Sequence, residues 1–143
     1  MNFKHLILVA LILMVFIAPA CASEHINYSN QSTNITFEGV EFVIPVGFGE
    51  SKDVQNFDDL GSQGKTTFYV NEYGGEIIIT VASDWLGMSI DDLYKEGASK
   101  TKINGHEGWN YTEGNLTYFS YVDGDSGIIV GVTNQTRLSE VII

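Results

Sequence analysis

The chain has 143 residues, of which 44% are hydrophobic, with 7 basic and 18 acidic side chains and a formal charge of −11. That length fits one domain and excludes a catalytic barrel or a two-lobed enzyme. The excess of acid repels phosphate backbones and anionic lipid, which argues against nucleic acid as a partner and leaves a membrane reachable only through the leader or a lipid on Cys21.

The N-terminus opens with Lys4 and runs through thirteen apolar residues, Leu6 to Ala18, into Pro19-Ala20-Cys21-Ala22. This has the three-part form of a secretory signal peptide over residues 1–22. As helix the apolar run spans only about 20 Å, short of a bilayer core of roughly 30 Å. Three outcomes stay open: cleavage before Cys21 with lipidation there, cleavage before Ser23, or retention of the leader as an anchor. Cys21 is the single cysteine, so the folded part has neither a disulfide framework nor a cysteine metal site.

Six of the ten asparagines head Asn-X-Ser/Thr sequons: Asn27, Asn30, Asn34, Asn110, Asn115 and Asn134. With 21 Ser and Thr in the chain, chance predicts about 1.5 such sequons, so the excess points to an N-glycosylated exported protein. Residues 23–34 lack any apolar period and read as a polar, glycosylatable stalk ahead of a single domain at 35–143.

Within that domain Ile35 and Phe37, then Val40, Phe42 and Ile44, alternate around Glu38-Gly39, which predicts a strand pair or a bent strand. Residues 46–64 read as loop with one helical turn near Val54 to Leu60. Thr66 to Asn71 and Glu76 to Ala82, joined across Gly74-Gly75, predict a hairpin whose second strand is apolar on both faces and therefore central. Ser89, with Asp92 three residues on and Ile90, Leu93, Tyr94, Gly97 and Ala98 on one stripe, predicts a helix, its acids at the start and Lys95, Lys100 and Lys102 towards and beyond its end. Turn signals at Asn104-Gly105, Glu113-Gly114 and Asp123-Gly124-Asp125 then divide a meander. Leu138, Val141 and Ile142 close the chain on a short helix. The fold class that follows is α+β, a mainly antiparallel sheet of hairpins and meander with two helices packed on it.

Three stretches carry a resemblance: FVIPVGF at Phe42 to Phe48, SIDDL at Ser89 to Leu93, and INGHEG at Ile103 to Gly108. In pattern the chain resembles the PsbP-like fold, and also small secreted, lipoprotein-like proteins of methanogenic archaea. The resemblance implies an α-β-α sandwich over roughly residues 36 to 143. By analogy it implies a part in assembling a membrane complex, and it brings no catalytic motif.

No stretch assembles a convincing catalytic set. Gly124-Asp125-Ser126-Gly127 matches the peptide around a serine-protease nucleophile, but turn geometry explains it and no partner histidine stands upstream in a suitable frame. Asp123 and Asp125 are a weak calcium pair without the third acid and the bidentate glutamate. His106-Glu107 points to opposite faces of a strand and does not form a zinc site. Asp58-Asp59 and Asp91-Asp92 read as solvated charges rather than a glycosidase dyad. If Asn110 is glycosylated it faces out, which turns Trp109 and Tyr111 inward as core. Trp85, in the Asp84 to Met88 loop, is then the best single binding contact.

The functional expectation is an exported cell-surface or secreted domain with a non-enzymatic binding or envelope-assembly role. It needs no cofactor, and its partner is an envelope protein or a small ligand. The alternative is a small extracytoplasmic hydrolase that uses acidic residues with His106.

Overall fold

A computed structural model describes residues 25–52, 64–84, 87, 89–134 and 136–143. The expected signal peptide over 1–22 with Cys21, Trp85, and the helical turn and Asp58-Asp59 pair expected between 53 and 63 lie outside the described residues. Among the described residues no helix is long and apolar enough to cross a membrane.

Two β-sheets make the body. β1 (Thr33–Phe37) and β2 (Val40–Ile44) form a hairpin, while β3 (Phe48–Ser51), β4 (Gly64–Asn71), β5 (Glu76–Ala82), β6 (Ser99–Ile103), β7 (His106–Glu113), β8 (Leu116–Asp123) and β9 (Ser126–Thr133) form a seven-stranded sheet. The order of the large sheet is β3-β4-β5-β9-β8-β7-β6, antiparallel throughout. After β5 the chain crosses to the far edge and winds back strand by strand until β9 seals against β5. The turns of this meander are two-residue loops at Asn104-Gly105, Gly114-Asn115 and Gly124-Asp125. Asn104 and Gly105 both take positive φ, at 46° and 94°, the conformation that matches the twist of a tight hairpin.

Period-two alternation divides the sheet into two faces. On one face Ile77, Ile79, Val81, Phe119, Tyr121, Ile128, Val130 and Val132 meet Val40, Phe42 and Ile44 of β2, together with Leu138, Val141 and Ile142. Phe42 is fully buried between them, worth roughly 1.5–3 kcal/mol for such a side chain. On the other face Ala82, Tyr111, Tyr118 and Ile129 gather around Leu93. Both faces are thus covered, which is why β5 and β9 read as nearly continuous apolar runs.

The expectation of two packed helices in an α-β-α sandwich is overturned, and with it the PsbP-like resemblance. One α-helix is present among the described residues, α1 (Leu138–Val141), a single turn. The stretch expected as the main helix makes only a 3-10 turn at Ile90–Leu93. Its start signal is real: the Ser89 backbone N–H donates to Asp92 Oδ2 at 2.6 Å and the Ser89 hydroxyl bonds the same oxygen at 3.0 Å. Propagation then fails. Tyr94 is extended at ψ 134° and Gly97 sits at φ +84°. Carbonyls that a longer helix would use internally are taken by the sheet instead. Trp109 Nε1 donates to the Ile90 carbonyl at 2.9 Å and Ser120 Oγ to the Leu93 carbonyl at 3.2 Å. Leu93 needed only to be buried, and one turn achieves that without the cost of nucleating and extending a helix.

Candidate functional site

The residues that stand out chemically fall into three groups: the sequons, the histidine with the acidic turns, and a cluster of lysines and aromatic rings on the last strands of the sheet.

Asn27, Asn30, Asn34, Asn115 and Asn134 are exposed. Asn34 lies on the outer side of β1, opposite to Ile35 and Phe37, which pack on the core. Asn115 and Asn134 are neighbours, because the Leu116–Thr133 pair joins the start of β8 to the end of β9. Ser29, between Asn27 and Asn30, bonds Gly47 and Phe48, whose strand pairs at Asn71 beside the same end of the sheet. The opposite end carries the Glu38-Gly39, Asn104-Gly105 and Gly124-Asp125 turns and no sequon. Asn110 differs from the rest. It is half-buried in mid-strand, between Ser99 and Phe119, on the face that β1, β2 and α1 cover. Trp109 and Tyr111 point the other way, half-buried and buried respectively, against the cluster around Leu93.

His106 is engaged by the end of the chain. Its Nε2 lies 2.8 Å from the Ile143 backbone oxygen and its ring packs on Tyr121 at 4.6 Å. Tyr121 is pushed well above the usual phenol range by burial and by the charge of Asp123, so it stays protonated. Asp92 is held below the usual carboxylate range by the Ser89 backbone N–H and then by the Ser89 hydroxyl, the opposite of a general acid. Asp123 and Asp125 stand exposed at the β8–β9 turn, and Ser126 opens β9 opposite Asp123. Among the described residues no three His, Cys, Asp or Glu side chains are placed to hold a metal ion.

The lysine and aromatic cluster was not legible as a unit. Lys100 and Lys102 were expected beyond a helix end, but they lie on edge strand β6, opposite Trp109 and Glu107 of β7. Lys100 pairs with Glu107 at 3.3 Å while its ammonium stands 5.7 Å over the Trp109 ring. Tyr94 meets Trp109 edge-on at 4.9 Å. Lys95 binds Glu113 at 2.9 Å and stands 5.0 Å over Tyr111, which stacks on Tyr118. An open groove of about 530 Å³ is lined by Lys100, Thr101, Lys102 and Glu107. The missed signal is the alternation Ser99-Lys100-Thr101-Lys102-Ile103 just before an Asn-Gly turn, a strand pattern with lysines on one face.

Comparison with protein-family models, with curated proteins and with solved structures finds no match to this chain.

Proposed function

We propose that the chain is an exported cell-surface or secreted domain, N-glycosylated at one end of its sheet, that acts by non-covalent binding rather than by catalysis. One observation carries this reading: five sequon asparagines are exposed and lie towards the end of the sheet where the polypeptide enters the domain. A leader and glycans at the same end leave the opposite end and the β6 edge clear for a partner. The engagement of His106 by the Ile143 backbone oxygen and the Tyr121 ring supports binding over the hydrolase alternative, which requires that imidazole free to face a substrate.

Mass spectrometry of the native protein, intact and as peptides from separated membrane and medium fractions, tests the reading. The expected result is a start at Ser23 or at lipidated Cys21, with glycans on Asn34, Asn115 and Asn134 and a bare Asn110. An unmodified chain beginning at Met1 would overturn export. Glycan on Asn110 with Asn115 and Asn134 bare would leave export standing and overturn the one-ended arrangement.

A further inference from the structure

The fold treats the two edges of the large sheet differently. At one edge β3 is four residues long, and the segment ahead of β1 runs along it. The Ser29 amide donates to the Phe48 carbonyl at 3.1 Å, the Gly47 amide donates to the Ser29 carbonyl at 2.8 Å, and Ile26 and Asn27 lie over Gly49. At the other edge no described strand lies beyond β6, and Ser99, Lys100, Thr101 and Lys102 are all exposed. Such an edge presents an unpaired row of backbone N–H and C=O groups to any extended chain.

We infer that β6 is a docking edge for an extended protein segment with acidic side chains at alternate positions, which adds to the sheet as a further strand. Backbone hydrogen bonds would supply the attachment and the side chains the selectivity.

Charge identifies the occupant. Lys100 and Lys102 are two of the seven basic side chains, and both stand on this one five-residue strand of a chain whose net charge is −11, whereas nearby Lys95 is already paired with Glu113. Lys100 and Lys102 share one face, where Glu107 is the carboxylate opposite them both. Two ammonium groups against one carboxylate leave the edge positive. The Trp109 ring beneath Lys100 holds that ammonium near the strand, which reduces the entropy lost when it takes a partner. An incoming strand with carboxylates opposite Lys100 and Lys102, and hydroxyl or β-branched residues opposite Ser99, Thr101 and Ile103, would match both faces of β6.

A second copy fits less well. Pairing β6 with β6 about Thr101 sets Lys100 of each copy against Lys102 of the other, and the two acidic bodies repel. The inference names the partner for the binding half of the proposed function, and it depends on neither leader nor glycans. Its failure would leave export untouched.

The test titrates the full chain with an end-blocked acidic peptide, Thr-Glu-Val-Glu-Thr-Glu-Val, and follows backbone amides by NMR. The expected result is shifts and slowed exchange centred on residues 99–103, with binding weakened as salt rises. Lys102→Glu should weaken the peptide about fivefold or more, by turning a cross-strand attraction into repulsion. Lys65→Glu changes net charge equally but lies at Glu38, away from β6, and should leave affinity unchanged. Should Lys102→Glu fail to fold, Lys102→Gln is the second variant and should weaken binding to a smaller degree. The inference is overturned if β6 amides do not respond, if both lysine variants bind like the parent, or if a Lys-for-Glu version of the peptide binds as well. Self-association through β6 in the absence of peptide would assign the edge to a second copy and overturn the acidic partner.

Discussion

Tyr118 on β8 lies directly opposite Gly131 on β9, and its ring covers the glycine so closely that a Cβ there would stand 2.5 Å from Tyr118 Cε1. The same row continues to Tyr111, stacked on Tyr118 with ring centroids 5.1 Å apart and planes 12° from parallel. The missing side chain on β9 makes room for a ring from the next strand, which in turn carries a second ring and the lysine over it.

Gly131→Ala should therefore destabilise the fold by about 1–3 kcal/mol, because the inserted methyl meets a packed ring rather than open space. Chemical denaturation checks this, with the midpoint falling and the slope unchanged. In a Tyr118→Ala background the same substitution should cost much less, since the obstructing ring is gone.

The cover over this face is held by two side chains that reach out of the sheet. Trp109→Phe keeps most of the ring but deprives the Ile90 carbonyl of its donor, and Ser120→Ala does the same to the Leu93 carbonyl at a buried position. Each should cost about 1–3 kcal/mol. Hydrogen exchange across residues 89–98 should accelerate in both variants more than exchange in β5 and β9, because the cover opens before the sheet.

Asn104 has two tasks. It takes φ 46° in the β6–β7 turn, and its Nδ2 donates to the Ser139 carbonyl at 2.9 Å and the Ile142 carbonyl at 2.7 Å. Asn104→Gly keeps the turn and loses both bonds, whereas Asn104→Ala loses the bonds and strains the turn. Both should loosen residues 138–143, at about 1–3 kcal/mol for the lost bonds. Asn104→Ala should be the worse of the two in thermal unfolding.

Asp92 gives a pH dependence of known sign. The Ser89 backbone N–H, helped by the Ser89 hydroxyl, holds its carboxyl below the ordinary range. A carboxyl lowered in the folded state contributes stability above its unfolded pKa, and that contribution disappears as pH falls through its folded pKa. In a carboxyl NMR titration Asp92 should titrate below the ordinary aspartate value, with the Ser89 amide resonance following it. Asp92→Asn should remove this portion of the acid-side loss of stability.

Much of the local structure was readable because it depends on a few neighbouring residues. Asn104-Gly105 and Glu38-Gly39 accept positive φ and so turn the chain wherever alternating strands flank them. Ile77 to Ala82 announced a strand covered on both sides. The Ser89 cap was readable too, yet the helix behind it was not real. Over ten residues a stripe that contains Leu93 and Ala98 looks alike whether the segment is helical or simply lies with two apolar side chains on a sheet. Gly97 and the demands of Trp109 and Ser120, distant in sequence, decided the matter. The cation cluster was hidden for the same reason: Lys95 finds Glu113 and Tyr111, and Lys100 finds Trp109, only after β6 has paired with β7.

By itself the sequence determined the acidic charge, the apolar run from Leu6 to Ala18, the number of Asn-X-Ser/Thr sequons and the positions of the hairpin turns, all properties of composition or of interactions within a few residues. Tertiary structure alone decided that β9 closes on β5, that β1 and β2 cover one face while a single turn covers the other, that Asn110 is half-buried among exposed sequons, and that β6 is the edge strand of the sheet among the described residues. These depend on which apolar faces bury one another across the chain, and that choice is made by the whole sheet at once rather than by any one segment.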